Sequence, residues 1–182
     1  QKREVEEMTE TNVVEEKSFL QSLKEFFALS PEISKICTMQ FFTWIGTMCM
    51  MIFFTQYAVH TIYFVPDLTT ASEAAKEAYA SATLAGTNFS SICFAIFNLI
   101  CFVVAIPIGF LSAKYTNKKV HIISIITMIL AYLGMFIVRE PKAVAALMGL
   151  AGIGWASICA LPFAMLSQFI KNGTEGSVMG IF

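Results

Sequence analysis

From residue 36 onward the chain alternates long apolar stretches with short polar ones. Four stretches, residues 36–66, 78–113, 120–138 and 143–170, contain no Asp, Glu, Lys or Arg. Crossing the hydrocarbon of a bilayer takes about 20 consecutive apolar residues as a helix, and an ionised side chain at its centre costs at least about 2.5 kcal/mol. The pattern therefore predicts four transmembrane helices, at about 36–65, 84–113, 120–138 and 143–170. The apolar run at 177–182 reads as the start of a fifth. Helix is the only open choice for each span, because lipid offers no partner to a free backbone N–H or C=O. The fold class expected is all-α integral membrane, with residues 36–182 as the membrane domain. The first residue is Gln1 and the last ones are apolar, so both ends read as cuts within a longer chain.

Residues 1–35 follow a different pattern. Glu4, Glu6, Glu7, Glu10, Glu15 and Glu16 make the beginning a solvated tail. Phe19, Leu20, Leu23, Phe26 and Phe27 then recur at helical spacing and predict an amphipathic surface helix. Ser30, Pro31 and Glu32 give a cap, a first-turn proline and an acidic first turn, the start of a helix entering the membrane. This region reads as a linker whose role is spacing. Between the first and second spans, the Ala-rich run 70–77 is suited to lengthening the second helix. The connection Arg139-Glu140-Pro141-Lys142 is so short that the third and fourth spans must be antiparallel neighbours.

Composition narrows the class further. Hydrophobic residues make up 57% and charged residues 14% of the chain, with a mean hydropathy of +0.69. These values lie far from soluble usage. The balance of 12 Lys and Arg against 13 Asp and Glu leaves no cationic excess for nucleic acid. No secretory signal peptide precedes the first span. Lys and Arg in the connections set orientation. Lys2, Arg3, Lys17, Lys24, Lys35, Lys114, Lys118, Lys119 and Lys171 fall on one side, and Lys76, Arg139 and Lys142 on the other. Residues 1–35 and the loops at 114–119 and 171–176 are therefore expected in the cytoplasm, and the protein in the cell membrane as a multi-pass protein.

Candidate chemistry lies on helix faces, since polar groups at membrane depth turn toward protein or water. Gln40, Trp44, Thr47, Met51 and Thr55 share one face of the first span. Trp44 could be a platform for the C–H face of a sugar, with Gln40 as hydroxyl partner, or an aromatic belt residue at the interface. On the second span Thr87, Ser91, Asn98 and Ala105 align; Asn98 suits either a polyol or an interhelical hydrogen bond. Trp155 and Pro162 share a face of the fourth span, and Pro162 is a hinge candidate. Pro107 is expected to bend the second.

Other chemistries lack their parts. Cys37, Cys49, Cys93, Cys101 and Cys159 all lie in spans without ligand spacing and read as packing residues; no metal site and no cofactor is expected. Gly149, Gly152 and Gly154 stand in a charge-free helix with no preceding strand, which points to close helix packing and not to nucleotide binding. His60 reads as the only titratable imidazole within a span; it could sense protons, but near the outer end it is better read as structural. No Asp or Glu lies in any span, and no nucleophile, base and acid stand together, so the chain does not read as an enzyme.

Three segments carry a resemblance to a known family. The loop from Gly109 to Lys119, G-F-L-S-A-K-Y-T-N-K-K, is similar to the G-x-L-x-D-R-x-G-R-K loop of the major facilitator superfamily, although Ala113 stands for its aspartate and Thr116 or Asn117 for its second glycine. Gln40-Phe41-Phe42-Thr43-Trp44 and the run Gly152 to Ser167, which ends S-I-C-A-L-P-F-A-M-L-S, resemble helices seven and ten of the sucrose/proton-symporter-like branch. Residues 176–182 look like that branch's entry to helix eleven. The resemblance covers most of residues 31–182. It implies the interdomain linker and helices seven to ten of a twelve-helix sugar transporter, part of its C-terminal six-helix half. Its partners would be the lipid bilayer, a mono- or disaccharide, protons and the N-terminal half. On this reading Gln40, Trp44, Thr47, Ser91, Asn98 and Trp155 face the solute, Gly109 permits close helix approach, and Lys114, Lys118 and Lys119 face the cytoplasm. A drug or metabolite exporter of the same superfamily, or a non-transporting receptor or scaffold, is the alternative.

Overall fold

The computed structural model describes residues 31–64 and 73–170, with Lys24, Phe27, Met179, Gly180 and Phe182. The expected surface helix near residues 18–27 and the loop at 171–176 therefore lie almost wholly outside the described residues, as does most of the fifth span. Among the described residues there is no strand. Helix α1 runs Pro31–Tyr57 and continues into a π-helical turn, Ala58–Ile62. Helix α2 is Glu73–Tyr115, α3 is Asn117–Ile137 and α4 is Pro141–Leu166, closed by a short 3-10 turn at Ser167–Phe169. All four are long and apolar enough to cross a membrane.

Helix α2 begins eleven residues before the predicted span at 84. Its first turns are the Ala-rich run, whose helix propensity needs no lipid to sustain it. At 43 residues it is about 65 Å long, roughly twice the hydrocarbon thickness. A single residue, Thr116, turns the chain from α2 into α3, and it takes a left-handed φ of 107° to do so. The α3–α4 connection is as tight. Pro141 stands in the first turn of α4, where its missing N–H costs nothing, and the Glu140 carboxylate accepts the Ala143 N–H at 2.6 Å.

Helix α4 is the centre of the bundle. Of its most apolar window, 56% is buried within the protein, against 11% for α1. Glycine makes this possible, because helices in lipid associate by close packing and not by escape from water. A Cβ on Gly152 would stand 2.4 Å from the Phe97 carbonyl oxygen on α2, and one on Gly154 would stand 2.5 Å from Cβ of Met128 on α3. Neighbouring residues of α4 thus seat two different helices. Far from the lysine-bearing end of α2, Gly86 does the same for the backbone of Val59 in the π turn. The buried residues of α1 are Ile33, Gln40, Thr47 and Phe54. Their spacing of seven is nearly two full turns, so they form one narrow stripe. Two polar ties complete the packing: Thr55 Oγ1 to Ser90 Oγ at 2.8 Å, and the Tyr57 hydroxyl donating to the Met135 carbonyl at 2.6 Å.

Candidate functional site

The buried stripe of α1 carries Gln40 and Thr47 of the expected site residues, and Trp44 stands at its edge. Gln40 is 7% exposed. Its Nε2 donates to the Ile158 carbonyl of α4 at 3.3 Å, and its Oε1 is buried without a hydrogen-bond partner. One turn on, the Trp44 ring meets Trp155 of α4 edge to face, with centroids 5.2 Å apart. Trp155 in turn lies 6.1 Å from Phe97 of α2, so an aromatic row crosses three helices. Trp44 remains 38% exposed, so part of its ring is not covered by the described helices. Thr47 is fully buried and gives its hydroxyl to the Thr43 carbonyl at 2.9 Å, so it is occupied within its own helix.

The structure brings Trp44 and Trp155 together with Gln40 one turn away, keeps Thr47 buried on α1, and leaves Ser91 and Asn98 apart. Both are exposed on a flank of α2, and each turns back on its own helix: Ser91 Oγ donates to the Thr87 carbonyl at 3.0 Å and Asn98 Nδ2 to the Phe94 carbonyl at 2.8 Å. Pro162 is buried inside α4, four residues after Ile158, so it is the residue that has no N–H to give the carbonyl Gln40 approaches. The close approach expected at Gly109 is not made. A Cβ there meets nothing within 4 Å, because the tight crossings lie at Gly152, Gly154 and Gly86 instead. Lys114 and Lys118 border a cavity of about 520 Å³ at the lysine-rich end, with Glu32, Lys35, Met165 and Phe169 among its other walls. Lys119, beside them in sequence, is exposed.

One buried polar pair escaped the sequence reading. His121 is 2% exposed and Ser157 fully buried, and Nδ1 of the first lies 2.7 Å from Oγ of the second, tying α3 to α4. The imidazole's Nε2 has no partner. His60, singled out from the sequence as the imidazole within a span, is exposed in the π turn; His121 is a second one, inside the charge-free run that opens at Val120. The signal was present in the spacing. His121, Ser124, Met128, Ala131 and Met135, all buried, recur at three and four residues, the stripe of a helix face turned inward. Among the described residues no group of three His, Cys, Asp or Glu stands together as a metal site would require.

Four apolar helices, one of them packed at the centre through its glycines and crossed by an aromatic row, make a helical membrane bundle. A family model described as Major Facilitator Superfamily matches residues 3–182. The chain belongs to the major facilitator superfamily. No curated protein and no solved structure matches it. As a major facilitator transporter it is a multi-pass membrane protein.

Proposed function

We propose that this chain is the linker and helices seven to ten of a sugar transporter, part of the C-terminal half, moving a mono- or disaccharide by alternating access with proton symport. The observation that carries the reading is the Trp44–Trp155 pair, 5.2 Å apart across α1 and α4 with Gln40 on the same stripe. A pyranose presents an apolar C–H face and a rim of hydroxyls. An aromatic plane with an adjacent amide matches both, and the absence of charge suits a neutral solute. Ser91 and Asn98 stand on the exposed flank of α2 as the second part of the solute wall. The linker and the lysine-bearing loops face the cytoplasm, and the cell membrane is the location.

The test is sugar uptake into proteoliposomes by the intact transporter, with a pH gradient imposed and dissipated. Trp44→Ala and Trp155→Ala are each expected to lower uptake on the order of tenfold, the loss of about 1.4 kcal/mol of contact, while membrane insertion is unchanged. Normal uptake in both variants would refute the aromatic platform. Flux of apolar drugs in place of sugars would make the protein an exporter of the same superfamily.

A further inference from the structure

A proline within a helix has no N–H for the carbonyl four residues back, and its ring pushes that carbonyl aside. In hydrocarbon no water replaces the missing donor, so a neighbouring helix must supply one. For Pro162 the carbonyl is that of Ile158, a fully buried residue. The donor comes from α1: Nε2 of Gln40, at 3.3 Å. The same side chain is more than nine-tenths buried, and its other polar atom, Oε1, has no partner. An amide with one end held on the turn that Pro162 interrupts and the other buried without a partner, one turn from Trp44, can serve both structure and ligand.

We propose that Gln40 couples the helix turn interrupted by Pro162 to occupancy of the aromatic site. Its Nε2 holds the Ile158 carbonyl, and its Oε1 accepts a hydroxyl from the solute. The first part stands on the geometry of this chain, and the second rests on the sugar reading given above. The coupling has a plain physical origin. A ligand shifts a conformational equilibrium only through contacts that differ between the states, and an acceptor bare when the site is empty and filled when it is loaded is such a contact. Parting α1 from α4 at this level would strand both an amide and a carbonyl in lipid, so the two helices separate there only when water or solute can enter.

The test is a double-mutant cycle in the intact transporter. Pro162→Ala restores an N–H to the Ile158 carbonyl and relieves Gln40 of that partner. Gln40→Met keeps the side chain's length and removes both polar atoms. With Pro162 present, Gln40→Met is expected to lower the melting temperature in detergent by about 2–4 °C and the turnover of solute uptake on the order of tenfold. In the Pro162→Ala background both losses should shrink to less than half, while KM rises in both backgrounds because Oε1 is gone from each. Equal losses in the two backgrounds would overturn the coupling to Pro162. A KM untouched by Gln40→Met would overturn the role of Oε1. Should the protein carry no sugar at all, the function proposed above falls, and the melting temperatures still decide whether Gln40 serves the proline.

Discussion

Thr116 shows how much one residue of this chain carries. It is the whole connection between α2 and α3, and its φ of 107° is a conformation that a β-branched side chain adopts at a cost of about 1–3 kcal/mol. The chain tolerates it because the turn is pinned on both sides, the Thr116 N–H donating to the Ser112 carbonyl at 3.0 Å and the Thr116 carbonyl accepting the Val120 N–H at 3.2 Å. Glycine has no Cβ to strain there. Thr116→Gly should therefore raise the melting temperature of the detergent-solubilised protein by at least about 2 °C; a fall would mean that the threonine side chain contributes more than its backbone strain removes. His121 makes the complementary point. Its place in a charge-free run was readable, and its bond to Ser157, 36 residues away, was not, because no local pattern says which helix a polar residue will face.

At the scale of elements, the glycines of α4 rank themselves by what stands opposite. The neighbour of Gly152 is backbone, the Phe97 carbonyl oxygen, and backbone cannot move aside. That of Gly154 is Cβ of Met128, which is fixed to the α3 backbone and moves only with it, whereas Gly46 of α1 faces open space. Overfilling a packed interface typically costs about 1–3 kcal/mol, whereas replacing an unhindered helix glycine by alanine gains about 0.5–1 kcal/mol. Thermal unfolding of the three alanine variants should separate them accordingly, with Gly152→Ala and Gly154→Ala both destabilised and Gly46→Ala at or above the parent. A Gly152→Ala protein as stable as Gly46→Ala would remove the close α2–α4 crossing from this account. Sequence alone identified these glycines as packing residues, since a charge-free helix without a preceding strand leaves them little else to do. It could not say that Gly152 seats α2 while Gly154 seats α3.

For the whole molecule, the alternation of charge-free and charged segments dictates a bundle whose helices cross the bilayer in alternating directions. Helix α3 is the shortest of the four and gives the cleanest check. With the native cysteines removed, Lys118→Cys and Arg139→Cys, at its two ends, should react with a membrane-impermeant maleimide from opposite faces of the membrane. The lysine-rich end should react only from the cytoplasmic side. Labelling of both from one face would mean that α3 does not span. The exposed aromatic and aliphatic side chains along α1, among them Phe41, Phe42, Ile52 and Phe53, are what a helix presents when lipid or other helices, and not water, surround it.

Read without its structure, the chain determines its solvent and its helices, because the cost of a charge in hydrocarbon acts on each residue in turn and needs no knowledge of neighbours. It also brings Gln40, Trp44 and Thr47 onto one face, through helical phase alone. Tertiary structure decided the rest. It paired Trp44 with Trp155, set Gln40 against the carbonyl that Pro162 leaves bare, separated Ser91 and Asn98 from them, and joined His121 to Ser157. Each of these depends on which helices touch and in what rotation, and that is settled by backbones closing on one another at glycine, a fit in three dimensions that linear spacing does not encode.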